Sequence, residues 1–408
     1  FQTALSGLTA ASTDLQVMGN NIANANTVGF KQSNAQFADA YATAIAGTSP
    51  QYGQIGIGTS VQTVAQQFSQ GNISATSNPL DIAINGSGFF QFNYNGATVY
   101  GRDGQFQLDK NGYIVDAAGG QLVGTSAVSG TLTGASGPLQ ITQTTLAPEA
   151  TSGLGLTLNL NSSSTPVASG TAFNAADPTT YNFTTSTSVY DSLGNAHLLS
   201  TYYTLTSGTS PSSGQVWNVQ YSVNGGTIAS GAATTLDFNT TGAIATPAPT
   251  TTLNISWPNG AAPGAVTVNF AGSTNYSAPT AVSNVTNDGY GVGQLSNLSV
   301  DPSGVIFGRY SNGQSATLGQ ISLTNFRAPQ GLQRVGNNYY ASTYQSGQPL
   351  TGSPQSAGLG SLQSSAVEGS NVDLSTQLVN LIVAQQAYQA NAQTIKTQNQ
   401  VVQTLLTL

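Results

Sequence analysis

The sequence predicts a mainly β protein with α-helical termini: two antiparallel β domains nested within a coiled-coil pair of N- and C-terminal helices. Three observations carry this. Apolar residues recur at alternating three- and four-residue steps at both ends of the 408-residue chain. Asn-Gly and Asp-Gly pairs punctuate the middle, and the composition shifts once more inside that middle.

At the N-terminus, Phe1, Ala4, Leu8, Ala11, Leu15, Met18, Ile22 and Ala25 form a heptad seam. It dissolves at Asn24, Asn26 and Gly29, where turn formers replace helix formers. At the far end, Leu374, Leu378, Leu381, Gln385, Tyr388, Ala392, Ile395, Asn399, Val402 and Leu406 form a second seam. Ser370-Asn371-Val372-Asp373 before it fits a capping box. No Gly or Pro interrupts 371–408, so one helix of about 55 Å is expected at about 1.5 Å per residue. Ordinary core packing explains most amphipathic stripes. Here the flanks argue for more, because they carry Gln, Asn, Ser and Thr where a solvated coiled coil carries Glu and Lys. The outer faces are therefore expected to meet further copies of the same helices or to line a neutral polar surface. The predicted assembly seams are Leu8, Leu15, Met18 and Ile22 on the first helix. On the second they are Leu374, Leu378, Leu381, Tyr388, Ile395, Val402 and Leu406.

Between the helices the strand signal is the punctuation at Asn85-Gly86, Asn95-Gly96, Asp103-Gly104, Asn111-Gly112, Asn224-Gly225, Asn259-Gly260, Asp288-Gly289 and Asn312-Gly313. Such pairs supply the positive φ values that two-residue hairpins require. Residues 149–284 are dense in Ser, Thr, Ala and Pro, whereas 73–148 and 285–359 are richer in Gly-aromatic turns. The economical division has terminal helices at 1–29 and 372–408 and connectors at 30–72 and 360–371. An inner β domain of 73–148 with 285–359 then carries an inserted outer β domain, 149–284. Gly53, Gly56 and Gly58 mark the first connector as a flexible one.

Composition excludes much chemistry. Only 5% of residues are charged and the net charge is −7, which argues against nucleic acid held by a basic patch. There is no cysteine and one histidine, His197, so disulfides, thiolate catalysis and Cys- or His-rich metal centres are not expected. No apolar run reaches the roughly 18 residues of a spanning helix. The only charge before Lys31 is Asp14, so a cleaved signal peptide, which needs a basic n-region, is not expected. With this Ser/Thr/Asn-rich surface, an extracellular protein exported by another route is expected.

The candidate chemical motifs fail individually. Asp109-Lys110-Asn111-Gly112 resembles a calcium loop but has Gly120 where a bidentate acid is needed, so a hairpin turn is the better reading. Asp191-Ser192-Leu193-Gly194-Asn195-Ala196-His197 holds an acid, a hydroxyl and the imidazole, without a nucleophile elbow. Gly86-Ser87-Gly88 lacks the third glycine of a dinucleotide fingerprint. Asp103 and Asp109 are better explained as turn residues than as glycosidase acids. No enzymatic activity and no cofactor are expected.

Three stretches resemble the axial family of the bacterial flagellum, its rod and hook proteins. The first is Asn20-Asn21-Ile22-Ala23-Asn24-Ala25-Asn26-Thr27-Val28-Gly29-Phe30-Lys31. Its family-motif residues are Asn20, Asn21, Asn24, Asn26, Thr27, Gly29, Phe30 and Lys31. The second runs from Gly71-Asn72-Ile73 through Asn78-Pro79-Leu80-Asp81 to Gly88-Phe89-Phe90, followed by Gly101-Arg102-Asp103-Gly104. The third runs from Gly369-Ser370-Asn371-Val372-Asp373-Leu374 to Ala384-Gln385-Gln386-Ala387-Tyr388-Gln389-Ala390-Asn391. The inserted domain, with Val189-Tyr190-Asp191-Ser192-Leu193-Gly194-Asn195, resembles the hook members of that family more than its shorter rod members.

The resemblance implies a structural subunit that self-assembles into a curved helical tube. That tube would act as a flexible joint carrying torque from rod to filament around an export channel. The implied partners are copies of the chain, the distal rod, the hook cap, the hook–filament junction proteins and the flagellar type III export apparatus, with no nucleic acid and no membrane insertion. A distal rod protein is the alternative within the family. A secreted β-rich adhesin or polysaccharide-active protein is the alternative outside it, and would not need heptad seams at both ends.

Overall fold

The computed structural model describes residues 2–40, 56–209, 213–227, 234–244 and 249–406; Gly53 lies outside them. The chain is mostly β, with one helix near each end and several antiparallel sheets. It divides into two compact units, one of residues 1–143, 297–309 and 315–408, the other of 144–296 and 310–314.

In the first unit, α1 (Gln2–Ala23) and α2 (Leu374–Leu406) pack along each other. Two contacts fix the register: Asn21 Nδ2 donates to Gln377 Oε1, and a Cβ added at Gly7 would lie 2.8 Å from Asn391 Oδ1. Residue numbers that face each other thus have a constant sum, and the pair is antiparallel. At about 1.5 Å per residue α1 is roughly 33 Å long and α2 roughly 50 Å. Since Gln2 falls level with Lys396, the residues from 397 onward extend past α1. The helix cap differs from the predicted box. Asp373 is the N-cap residue, its Oδ1 accepting from the Ser375 and Thr376 amides at 2.9 and 3.2 Å.

The segment read as a connector contains β1 (Ser33–Ala40) and β2 (Gly58–Gln66), an antiparallel pair that packs on α1. β3 (Ile73–Ala75) and β4 (Ile82–Asn85) pair with Ala366–Glu368 and Ser361–Ser364, which ties the segment before α2 back to the start of the β region. β5 (Phe89–Tyr94) pairs with β6 (Ala97–Gly101) and with Gln121–Val128. Phe89, Tyr100, Phe326, Leu332 and Tyr340 form a buried aromatic cluster there.

The second unit is a sandwich. One sheet runs Thr250–Ile255, Gly264–Asn269, Gly153–Asn159, Ala281–Asn287, with its two middle strands parallel in a fold that is otherwise mainly antiparallel, as the sequence predicts. The other is built on Phe183–Tyr190, Ala196–Thr209, Ser213–Val223 and Thr234–Asn239. Period-two alternation sends Leu154, Leu156 and Leu158 inward from the first, against Tyr203, Trp217, Val219 and Leu236 of the second, all in one core.

Of the eight punctuating pairs, Asn95-Gly96 and Asn224-Gly225 have positive φ at both residues, as two-residue hairpins require. Asn85-Gly86, Asn111-Gly112, Asn259-Gly260 and Asn312-Gly313 have positive φ only at glycine, and Asp103-Gly104 and Asp288-Gly289 have it at neither residue. A second turn device recurs instead. The side-chain oxygens of Asp109, Asp116, Asp191 and Asn239 each accept from the amides two and four residues on.

Candidate functional site

The motif following α1 folds into a buried polar knot that joins both chain ends to the β region. Asn21, inside the last turns of α1, clasps one backbone residue from both sides. Its Nδ2 donates to Ser33 O at 2.8 Å and its Oδ1 accepts from Ser33 N at 3.0 Å. Asn24 closes the helix by donating to Asn20 O, and its Oδ1 accepts from Thr27 Oγ1. Asn20 and Asn26 are exposed. Gly29 has φ +68, and a Cβ there would lie 2.5 Å from Asp103 N and 2.6 Å from Arg102 C, so only glycine lets the two backbones cross. Phe30 is buried, with the Arg334 guanidinium 5.3 Å from its ring centroid.

Lys31 donates to Glu368 Oε1 and to Ser69 O, each at 2.7 Å. Arg102 donates to Glu368 Oε2 at 2.9 Å and to Gly86 O at 2.8 Å. The Gly71 amide donates to Glu368 Oε1 at 2.8 Å. Lys31 and Glu368 are fully buried and Arg102 nearly so. Burial pushes the Lys31 ammonium below its ordinary value, against the raising pull of Glu368. Asn371 completes the knot: its Oδ1 accepts from Gln32 N, and its Nδ2 donates to Gln67 O and to Ser69. The sequence reading placed Lys31 in a motif but missed Glu368. The available signal was that Glu368 is one of only two glutamates in the chain and directly precedes the third family-like stretch.

On the helices, Leu8, Leu15, Met18 and Ile22 are half-buried, with Ala4, Ala10, Ala11 and Asn21 buried. Along α2, Gln377 and Ala384 are buried and Leu381 and Ile395 half-buried, while Leu374, Leu378, Tyr388, Val402 and Leu406 are exposed in the single chain. Val379, Ile382, Val383, Val401 and Leu405 are exposed as well. Gln377 is turned inward by hydrogen bonds with Asn21 and Gln32, each at 3.3 Å, and the small Ala384 is buried with it, while the larger apolar residues of α2 face outward. Gly58, at φ +130, is a contact point with α1: a Cβ would lie 2.0 Å from Ser6 Oγ, and the neighbouring Thr59 amide donates to that same oxygen at 3.2 Å. A Cβ at Gly56 would meet nothing nearer than Ala40 O at 3.9 Å.

The chemical motifs are occupied by structure. The Asp109 carboxylate is spent on its own turn. Asp191 is buried; its carboxylate accepts from His197 Nε2, the Asn259 amide and the Asn195 side chain, besides its two turn amides. Burial alone would raise it, but these hydrogen bonds hold it far below the usual carboxylate range. His197 stacks on Trp257 with centroids 4.4 Å apart, and its Nδ1 meets the Asn224 amide. The Ser192 hydroxyl accepts from Ala262 N rather than facing the imidazole. Among the described residues no group of three His, Asp or Glu could hold a metal, and no helix is long and apolar enough to cross a membrane.

Helices paired from opposite chain ends, locked by a buried knot to the β strands between them, bring together the three stretches that resemble the flagellar axial family. Family models agree along the chain. "Flagella basal body rod protein" matches residues 1–31 and "Flagellar hook protein FlgE/F/G D1 domain" 83–152. "Flagellar basal body protein FlaE D2 domain" matches 157–290 and "Flagellar basal body rod FlgEFG protein C-terminal" 363–408. The flagellar hook protein FlgE of Escherichia coli (strain K12) is 39% identical over 418 residues, covering 100% of this chain and 99% of its own. That of Borreliella burgdorferi is 31% identical, covering 100% and 98%. The crystal structure of Helicobacter pylori flagellar hook protein FlgE2 shares the fold, with a TM-score of 0.52 at 16% identity over 72% of this chain and 100% of that one. The chain belongs to the flagellar hook protein FlgE family, whose members are structural components of the bacterial flagellum.

Proposed function

We propose that copies of this chain polymerise through α1 and α2 into a helical tube that serves as the flexible joint between flagellar rod and filament, with the helices innermost around an export channel. The observation that carries it is the apolar surface left open on α2. Val379, Ile382, Val383, Val401, Val402, Leu405 and Leu406 are all more than half exposed in the single chain, a cost that burial against further copies removes at roughly 25 cal/mol per Å². The predicted seam residues Leu374, Leu378, Tyr388, Val402 and Leu406 belong to this surface in the reading, and Leu8, Leu15, Met18, Ile22, Leu381 and Ile395 to the pairing within one subunit. Gln- and Asn-rich flanks let many copies crowd a channel without accumulating like charge.

The same reading layers the subunit from paired helices through a connector to inner and outer β domains. It makes the chain non-enzymatic and extracellular, exported by the type III apparatus without a cleaved signal. The distal rod, cap and junction proteins are its further partners. Electron microscopy of the full chain under polymerising conditions tests it, beside a version ending at Asp373. Tubes from the full chain and none from the shortened one are expected; folded monomers from both would overturn it.

A further inference from the structure

Each terminal helix carries a single charge. Asp14 is the only charged residue of α1 and Lys396 the only one of α2. Within one chain the two cannot meet. The register that puts Asn21 opposite Gln377 and Gly7 opposite Asn391 sets Asp14 level with Ala384, twelve positions short of Lys396. That is roughly 18 Å along the helix axis, beyond the reach of the two side chains. Neither residue has an ion-pair or hydrogen-bond partner among the described residues.

Their surroundings differ in a way that assigns the need for a partner. Lys396 is exposed and solvated. Asp14 is half-buried at a cleft of about 180 Å³ that it lines with Met18, Ser33, Asn34, Gln377 and Asn380. Burial pushes its carboxyl above the usual range, with no opposing charge or hydrogen bond among its causes. A half-buried, unpaired carboxylate in an otherwise uncharged helix layer is a cost that a cation entering from outside the chain would relieve. Asp39 on β1 is the other acid of this layer without a capping role, but it is exposed and needs no such relief.

We propose that Asp14 of one subunit pairs with Lys396 of a neighbouring copy, and that this pair sets the stagger of adjacent helix pairs at about 18 Å along their axes. The occupant of the cleft is a second copy of this chain, chosen by charge: one acid on α1, one base on α2, held apart in the monomer. The inference rests on the polymer reading above and adds to it a register.

The cysteine-free sequence makes the test direct. Tubes assembled from a D14C/K396C chain are oxidised and run on non-reducing gels. A disulfide within one chain is excluded, because its Cα atoms must lie within about 7 Å, so a ladder of covalent multimers reports the contact between copies. The ladder is expected from the double variant and not from K396C alone. Charge reversal supplies the second arm. D14K and K396D are each expected to cut the yield of polymer at least tenfold, and the combined D14K/K396D chain to restore it. Tubes from D14C/K396C without a ladder, or a ladder from D39C/K396C in its place, overturn the pairing while leaving the polymer reading intact. An unmodified chain that forms no polymer under any condition overturns both.

Discussion

Lys31 Nζ and Glu368 Oε1 lie 2.7 Å apart although 337 residues separate them, and neither side chain reaches solvent. Arg102 holds the second oxygen of the same carboxylate. One buried acid therefore fixes the exit of α1, the loop after β6 and the strand that leads into α2. Removing the acid strands two buried cations, whereas removing Lys31 leaves Glu368 paired with Arg102. E368A is expected to cost about 3–5 kcal/mol, and K31M clearly less, as read from denaturant unfolding. Equal losses for the two would mean that the knot is not centred on Glu368.

Asp191 gives a pH dependence. Burial opposes its charge, but the hydrogen bonds from His197, Asn259 and Asn195 prevail and hold it below its unfolded value. Its contribution is therefore complete above the unfolded value of about 3.9 and is lost as pH falls below that. D191N is expected to lower stability by about 3 kcal/mol at pH 7, with the gap to the unmodified chain shrinking below about pH 4. A gap that does not change with pH would show that shape rather than charge matters there.

Asp103 runs the other way. Burial raises it to about 6, with Asp116 and Asp81 adding to the rise and the Gln105 amide opposing it. A raised acid costs stability when charged, so the cost is full above about pH 6 and absent below about pH 4. D103N keeps an acceptor for the Gln105 amide. It is expected to stabilise by about 1–2 kcal/mol at pH 7.5 and to be neutral at pH 4, measured by unfolding at both. No gain at the higher pH would contradict it.

How much of this was legible beforehand varies with how local the cause is. Both helices showed in the sequence because a heptad repeat is a property of the segment itself. The inward face of α2 showed less well: Leu378 and Val402 fit the period as well as Leu381 and Ile395 do, and Gln377 turns inward through its hydrogen bonds with Asn21 and Gln32, which are distant in sequence. Asn-Gly pairs marked turns, but whether Asn is left-handed, as at Asn95, or only its glycine is, as at Gly112, depends on the flanking strands. Glu368 gave no periodic signal, since its partners are brought to it by β3 and β4 pairing with the returning chain. Nor did the segment 30–72 announce β1 and β2, whose strands lean on α1.

That last difference bears on the glycines. A Cβ at Gly58 would collide with Ser6 Oγ, whereas one at Gly56 would make only an ordinary contact with Ala40 O. G58A is expected to weaken the packing of β1–β2 on α1, seen as faster amide hydrogen exchange along both, while G56A changes stability by less than about 0.5 kcal/mol. Equal effects would show that the contact with Ser6 is not what sets Gly58 apart.

The exposed face of α2 separates folding from assembly. Val383 and Val402 are 58% and 51% exposed in the single chain. V383D and V402D are therefore expected to leave the unfolding midpoint of the monomer within about 0.5 kcal/mol of the original. In a polymer the same carboxylates would face apolar neighbours, where an unpaired charge is strongly disfavoured. Sedimentation and electron microscopy should then find monomers at concentrations where the unmodified chain is fully assembled. Tubes of normal yield from V383D would remove that position from the interface, and normal yield from both would place the subunit contacts on another surface.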